Sequence, residues 1–102
     1  MKLRFLSEAE ADALEAARWY NSQRAGMGDK FLAAVDSALE AIEKDPFRFA
    51  RIERPRNNRE IRRCRLKRFP YSVIYERINT DFVVLAIAHA KRRPTYWIHR
   101  KN

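Results

Sequence analysis

The sequence predicts an α+β domain with the element order β-α-α-β-β-β, in which a helical hairpin packs on one face of a mostly antiparallel four-stranded sheet. Two observations support this prediction. The first half of the chain holds two amphipathic helical patterns, and the second half holds three segments rich in β-branched and aromatic residues. Because 102 residues suffice for one domain and are too few for two, we assign residues 1–102 to a single domain.

The N-terminal segment predicts a short strand followed by the first helix. Leu3 and Phe5 alternate with charged residues, as in a half-buried strand. Ser7, with Glu10 three residues later, matches a capping box, so the first helix should run from about residue 8 to residue 23. Trp19 lies off the apolar arc of this helix and is a candidate contact for a partner.

The second helix has the clearest periodicity of the chain. Its apolar residues recur at i, i+4, i+7, i+8, i+11 and i+15 from Met27 to Ile42. The turn before it holds both glycines of the chain. Pro46 biases Asp45 away from the helical region, so the helix should end there. Two such helices joined by a few residues form a hairpin.

The second half predicts a loop and three strands. Residues 47–59 have no period and contain turn residues, and strands should follow at about 60–67, 71–78 and 81–89. The last strand is apolar on both faces, which is typical of a central strand. We expect the sheet face away from the helices to stay partly open. Pro94 begins either a short helix or an extended tail.

The composition argues against several classes of protein. No apolar run approaches the roughly 20 residues of a membrane span, and the acidic N-terminal region does not resemble a secretory signal. The single cysteine, Cys64, excludes an internal disulfide and indicates a reducing cytoplasm. Since the sequence has no metal-ligand spacing, no glycine-rich phosphate loop and no Ser-His-Asp arrangement, we expect neither a metal nor a cofactor.

The charge is distributed unequally. The net charge is +9, but residues 1–50 hold seven Lys/Arg and nine Asp/Glu, whereas residues 51–102 hold fifteen Lys/Arg and four Asp/Glu. This asymmetry predicts an acidic partner for the second half. RNA, DNA, an acidic protein segment and a lipid surface all have the required charge.

Five cations lie within seven residues at the second strand. Because strand residues alternate between faces, Cys64 and Leu66 should point into the core, and Arg63, Arg65 and Lys67 should point to the open face. Their spacing of about 6.6 Å resembles that of successive phosphates on a nucleic-acid strand. The five cations are Arg62, Arg63, Arg65, Lys67 and Arg68.

Tyrosines of the third strand extend this hypothesis. We expect Tyr71 and Tyr75 beside the arginines, so that one sheet face binds a backbone by charge and a base by stacking. The alternative is a solvated edge strand that is cationic to prevent aggregation.

Further candidates follow the fourth strand. Arg92 and Arg93 leave its end, which we expect to lie beside the start of the second strand, so that they join Arg63 and Arg65 in one patch. His89 is a candidate general base, although a lone histidine at a strand end is more often structural. Tyr96 and Trp97 either cap the core or contact the partner.

Several motifs resemble the toxins of bacterial type II toxin–antitoxin systems, in the superfamily with RelE-like and ParE-like branches that includes plasmid-stabilisation proteins. The motifs span nearly the whole chain, and the superfamily has the fold predicted above. They are "ARWY" at 17–20, "GMGDKF" at 26–31, "DPFRFA" at 45–50, "IRRCRLKRFPYSVIYE" at 61–76 and "AIAHAKRRPTYWIHR" at 86–100.

The two branches differ in target. The resemblance implies ribosome-dependent mRNA cleavage for the RelE-like branch and action on DNA gyrase for the ParE-like branch, which the last two motifs resemble more. Nuclease positions fall on Arg63, Arg65, Arg92 and, loosely, Tyr96, and these four are the candidate catalytic residues if the chain is a nuclease. Ser72 stands where the nucleases have an arginine that contacts the scissile phosphate. Arginine is also a poor proton donor.

The resemblance therefore implies a cytoplasmic toxin that inhibits growth through DNA gyrase and forms a hetero-oligomer with a cognate antitoxin. We do not expect an enzyme on this interpretation. One alternative is an endoribonuclease acting on the ribosome and mRNA, and another is a non-toxic nucleic-acid-binding module. The candidate target-binding residues are Arg62, Lys67, Arg68, Arg93, His89 and Trp97.

Overall fold

A computed structural model of the chain describes residues 2–53, 58–93 and 95–100. The elements are β1 (Leu3–Phe5), α1 (Ser7–Gln23), α2 (Met27–Lys44), β2 (Glu60–Arg65), β3 (Tyr71–Ile78), β4 (Asp81–His89) and α3 (Thr95–Ile98). The sheet order is β1-β4-β3-β2, with β1 parallel to β4 and the other pairs antiparallel. The predicted fold class is confirmed. The turn residues predicted at 55 and 57, and residue 94, lie outside the described residues.

Strand boundaries follow the turn chemistry. The hairpin between β3 and β4 turns at Asn79, whose φ is 57°, a conformation that asparagine tolerates. The connection from β2 to β3 turns at Arg68, whose φ is 69°. As a result, β2 ends at Arg65, two residues earlier than predicted.

The two helices approach each other closely at Gly28. A Cβ atom there would lie 2.3 Å from the carbonyl oxygen of Ala17, and the Gly28 N–H donates to Asn21 Oδ1 at 2.8 Å. The buried residues of α1 are all alanines, whose small side chains allow other elements to approach this helix closely. The helices can therefore pack side by side above the sheet.

The predicted capping box does not form. Helix α1 begins at Ser7 itself, and the preceding Leu6 is the N-cap, with extended φ and ψ. The Leu6 N–H donates to the carbonyl of Val84 at 3.1 Å, so the chain continues the sheet up to Leu6 and enters the helix at once. The Ser7 hydroxyl contacts Glu8 and caps no backbone N–H of the first turn.

A bulge in β4 changes the face to which its side chains point. Ile74 of β3 lies opposite Ala86, but Tyr75 lies opposite Val84, so Leu85 is an extra residue. One extra residue inverts the alternation of side chains. The strand is apolar on both faces because each face is buried, one in a cluster under α1 and α2 around Phe31 and the other in a cluster on the far side of the sheet.

The face away from the helices is more covered than predicted. Helix α3 lies on it, and Trp97 is 3% exposed within a cluster that includes Ile61, Ile74 and Leu85. Burial of the indole contributes the apolar area that holds this short helix on the sheet. The accessible part of this face is therefore the area beside the end of β2.

Two ion pairs hold the C-terminal segment. Arg59 binds the buried Glu76 through two hydrogen bonds of 2.8 and 2.9 Å and also donates to the carbonyl oxygens of Ile98 and Arg100. On the other side, Arg100 pairs with Asp12 of α1 at 2.7 Å. The segment that carries Trp97 is thus fixed at both the sheet and the first helix.

Candidate functional site

The two arginines at the end of β2 point away from the helices, as predicted. Arg63 lies opposite Ile74 and Arg65 opposite Ser72, and directly opposed residues project to the same face. Both arginines are exposed, whereas Cys64 between them is buried under the helices. The alternation predicted for Arg63 and Arg65 is therefore confirmed, but the prediction that Lys67 joins them was wrong, because β2 ends at Arg65 and Lys67 lies beside α2.

The expected neighbouring tyrosines are on the other face. Tyr71 and Tyr75 have the same parity as Val73, which lies opposite Cys64, so they project toward the helices. The Tyr75 hydroxyl donates to the Pro46 carbonyl at 2.6 Å, and burial raises the pKa of this phenol. The prediction that Tyr71 and Tyr75 share a sheet face with the arginines was wrong, because the register places Ser72 on that face.

A cavity of about 340 Å³ lies beside these arginines, and we call it the cationic cavity. Three arginines line it, Arg63, Arg65 and Arg92, and none of its described lining residues is acidic. The remaining wall is polar at Ser72 and mainly apolar elsewhere. Its other lining residues are Ile52, Leu66, Phe69, Pro70, Tyr71, Ile74, Ala88, His89, Ala90 and Trp97.

The sheet brings Arg92 close to Arg63 and Arg65, but the relative positions of the strand ends differ from the prediction. Strands β2 and β4 are both antiparallel to β3, so they run in the same direction and the end of β4 lies near the end of β2, not near its start. Ser72 lies opposite both Arg65 and Ala88. Arg92, just beyond β4, therefore reaches the cavity. Arg93 is exposed but does not line it.

The other predicted cations lie elsewhere. Arg62 projects to the helix side, where it pairs with Glu60, donates to the Phe49 carbonyl at 3.1 Å and lies 5.3 Å from the ring of Phe47. Lys67 is exposed and lines a different cavity, beside α2. Arg68 is exposed in the connection after β2. The structure therefore does not bring these three residues into the cationic cavity.

His89 has a defined tautomer at the edge of the cavity. Its Nδ1 accepts a hydrogen bond from the Lys91 N–H at 3.0 Å, which leaves the proton of the neutral ring on Nε2. The ring also meets Tyr71 edge to face, with centroids 4.9 Å apart. His89 in this tautomer offers a donor to a ligand.

Two guanidinium groups lie over the ring of Tyr96. The Arg92 guanidinium lies 4.0 Å from its ring centroid and that of Arg100 lies 5.1 Å away. Burial raises the pKa of Tyr96 to about 12, so its hydroxyl keeps its proton at neutral pH. Tyr96 does not line the cationic cavity, but it lines the groove beside it.

This second depression, which we call the aromatic groove, has a volume of about 540 Å³ and lies between α1 and the end of β4. The sequence indicated Trp19, His89, Arg92 and Tyr96 as separate candidates, but nothing in it indicated that they line one depression. Trp19 is 56% exposed. The lining residues are Asp12, Glu15, Ala16, Trp19, Tyr20, Pro70, Tyr71, Ile87, His89, Arg92 and Tyr96.

Other kinds of site are not apparent in the part of the chain that the structure describes. Within those residues, no group of three or more His, Cys, Asp or Glu side chains could hold a metal ion. No described helix is both long and apolar enough to cross a membrane. Cys64 is buried, and burial raises the pKa of its thiol, which makes it a poor nucleophile at neutral pH.

Comparisons with known proteins identify the family. The family described as the ParE toxin of the type II toxin–antitoxin system parDE matches residues 3–94. A solved structure described as "Chromosomal ParDE TA system from P. aeruginosa" has the same fold, with a TM-score of 0.67 and 20% identity over 89% of this chain and 97% of that chain. A search of the curated proteins finds no match. Since the family match spans both long helices and all four strands, the chain belongs to the ParE toxin family and is the toxin of a type II toxin–antitoxin system, with an antitoxin as its partner.

Proposed function

We propose that this toxin stops growth by binding DNA gyrase through the cationic cavity. The observation that supports this most directly is the chemical character of the cavity, where Arg63, Arg65 and Arg92 converge without an acidic residue among its described lining residues. Guanidinium groups bind carboxylates and phosphates through paired hydrogen bonds but do not exchange protons near neutral pH. The cavity therefore suits recognition of an acidic surface better than acid–base catalysis.

The side chains that a nuclease would use favour the same conclusion. His89 has its proton on Nε2 while Nδ1 accepts the Lys91 N–H, so neither nitrogen is a ready base. The pKa of Tyr96, raised to about 12, keeps its phenol protonated. Ser72 is nearly buried and carries no charge where the RelE-like nucleases are expected to have an arginine. These features support action on gyrase over mRNA cleavage.

The antitoxin should neutralise the toxin by covering the basic surface. Residues 51–102 hold fifteen Lys/Arg against four Asp/Glu, so an acidic segment that orders on binding fits this half in charge. The complex should weaken as salt is added, because surface attraction is screened over about 8–10 Å at physiological ionic strength. We place this complex in the cytoplasm, where gyrase acts.

A supercoiling assay with purified gyrase tests the proposed target. The toxin should inhibit supercoiling, and the double variant Arg63→Ala/Arg65→Ala should inhibit it much less because two of the three arginines that line the cavity are gone. Lys30→Ala is the matched control, since Lys30 is an exposed cation on α2 and lines neither the cationic cavity nor the aromatic groove. Unchanged supercoiling together with ribosome-dependent mRNA cleavage by the wild-type toxin would replace gyrase with the nuclease alternative.

A further inference from the structure

The cationic cavity and the aromatic groove share one wall. Pro70, Tyr71, His89 and Arg92 line both depressions. These residues lie at one end of the sheet, where Tyr71 at the start of β3 pairs with His89 at the end of β4. A ligand that lies across this wall contacts both depressions. Arg92 is within reach of its part in either depression.

The aromatic groove presents an accessible ring beside a carboxylate. Trp19 is 56% exposed, and its indole meets Tyr20 edge to face at 5.1 Å between centroids. Glu15 lies one helical turn before Trp19 and lines the same groove. The neighbouring Asp12 carboxylate is already bound by Arg100 and by the Ile87 N–H. Glu15 is therefore the carboxylate placed to meet a ligand that stacks on the indole.

We propose that the two depressions together bind one nucleotide, with its phosphate in the cationic cavity and its base on Trp19. Paired guanidinium donors match a phosphate, and aromatic side chains stack on the bases of single strands. The volumes of about 340 and 540 Å³ are in the range of small-molecule sites. This inference goes beyond the proposed action on gyrase, and its test uses binding alone, so either can fail without the other.

Glu15 gives the site a preference among bases. An ionised carboxylate only accepts hydrogen bonds, and adenine, cytosine and guanine carry an exocyclic amino group that donates them. Uracil has a carbonyl oxygen at C4 where cytosine has the amino group, and its N3–H donor is flanked by two carbonyl oxygens that repel a carboxylate. A cytosine nucleotide should therefore bind more tightly than a uracil nucleotide of the same charge and similar size.

Isothermal titration calorimetry tests the proposal. CMP, UMP and ribose 5-phosphate are each titrated into the purified toxin, and their affinities are compared. CMP should bind most tightly, and ribose 5-phosphate should bind weakly because it has no base. Trp19→Ala should weaken CMP about 5- to 150-fold, the range expected for one lost stacking contact, and leave ribose 5-phosphate unchanged. Arg65→Ala should weaken all three ligands.

Two further variants make the test specific. Glu15→Gln should bring the affinities of CMP and UMP together, since an amide both donates and accepts. Leu14→Ala removes another exposed apolar side chain from α1, one that lines neither depression, and should leave CMP binding unchanged. A pentacytidylate strand that binds more tightly than CMP would identify a single strand as the source of the nucleotide, and equal affinities would identify the free nucleotide.

The proposal is overturned if no nucleotide binds, or if ribose 5-phosphate binds as tightly as CMP. It is also overturned if CMP binds equally well to the wild type and to Trp19→Ala, since the base then makes no use of the aromatic groove. In the last two cases the cationic cavity is a site for anions alone.

Discussion

The carboxylate of Asp12 lies 2.7 Å from the guanidinium of Arg100, although 88 positions separate the two residues in the chain. The same carboxylate accepts the Ile87 N–H at 3.2 Å, and Arg100 donates to the Leu85 carbonyl at 3.0 Å. Strand β1 pairs only with residues 82–84 of β4. The Asp12–Arg100 ion pair therefore hydrogen-bonds to the Ile87 N–H and the Leu85 carbonyl, which are backbone groups of β4 that a longer β1 would have bound.

Arg100→Ala should accordingly destabilise the toxin. The substitution leaves the Asp12 carboxylate and the Leu85 carbonyl without the Arg100 guanidinium as donor. The Asp12 side chain is only 16% exposed. Removing one partner of a largely buried hydrogen bond costs about 1–3 kcal/mol, and we expect a loss in that range in urea denaturation. Arg18→Ala on the exposed face of α1 is the control and should change the free energy of unfolding by less than about 0.5 kcal/mol. Equal stabilities of the two variants would show that the ion pair contributes little.

The two glycines should respond differently to substitution. Gly28→Ala places a Cβ atom 2.3 Å from a backbone oxygen of α1, so the helices must move apart, and we expect a loss of about 3 kcal/mol or more. Gly26 has open space around it but a φ of +88°, so Gly26→Ala should cost only about 1–2 kcal/mol through backbone strain. Gly26→Asn should cost less, because asparagine tolerates this conformation. Thermal denaturation of the three variants checks this order, and a tolerated Gly28→Ala would contradict the close approach.

The exposed arginines near the ends of β2 and β4 should be needed for toxicity but not for stability. The quadruple variant with Arg63, Arg65, Arg92 and Arg93 changed to alanine should lose its effect on growth while its thermal midpoint changes little, because exposed charges typically contribute under about 1 kcal/mol each. In contrast, Leu85→Ala should cost about 2–5 kcal/mol, since this side chain is fully buried. A folded quadruple variant that still stops growth would show that the cations only protect an edge strand.

Stability should fall in acid partly through Glu60. A hydrogen bond from Arg62 is the largest cause that lowers the pKa of this carboxyl below 4.5, and Arg77 contributes by charge. Because the folded state holds the ionised form more strongly than the unfolded state, the stabilisation is present above pH 4.5 and is lost as pH falls through the lower, folded-state pKa. Glu60→Gln should therefore be less stable than the wild type at neutral pH, and the difference should narrow below pH 4.5.

Glu40→Gln, at an exposed position of α2, is the control for this pH series and should show no such convergence. Urea denaturation at a set of pH values between neutrality and pH 3 measures both variants. If the difference in unfolding free energy between Glu60→Gln and the wild type stays constant over the whole pH series, the loss of stability in acid does not come from the Glu60 carboxyl.

The sequence predicted the elements well because their signals are local. The period from Met27 to Ile42, the break at Pro46 and the gap at 79–80 between the last two predicted strands each depend on a short stretch of sequence. The inward position of Cys64 followed from simple alternation. These features depend on neighbouring residues alone, so a single sequence sufficed to predict them.

The features that were missed depend on register and on distant contacts. The bulge at Leu85 is hidden because residues 82–88 are apolar throughout, so no polar residue marks the point where alternation inverts. The tyrosines of β3 were placed on the wrong face because the pairing of Cys64 with Val73 was unknown. The aromatic groove joins α1 to the end of β4, and its parts are too far apart in sequence to be associated without the fold.

The position of Trp97 in the second cluster has a consequence for the timing of folding. This side chain, Tyr96 and Arg100 follow all four strands in the sequence, and they complete the wall of the cationic cavity, the wall of the aromatic groove and the contact to α1. Contacts between segments that are far apart in the sequence form late, because the intervening loop must close first. Both depressions therefore acquire their complete walls only after the sheet has formed, and a chain cut short before Trp97 never acquires them.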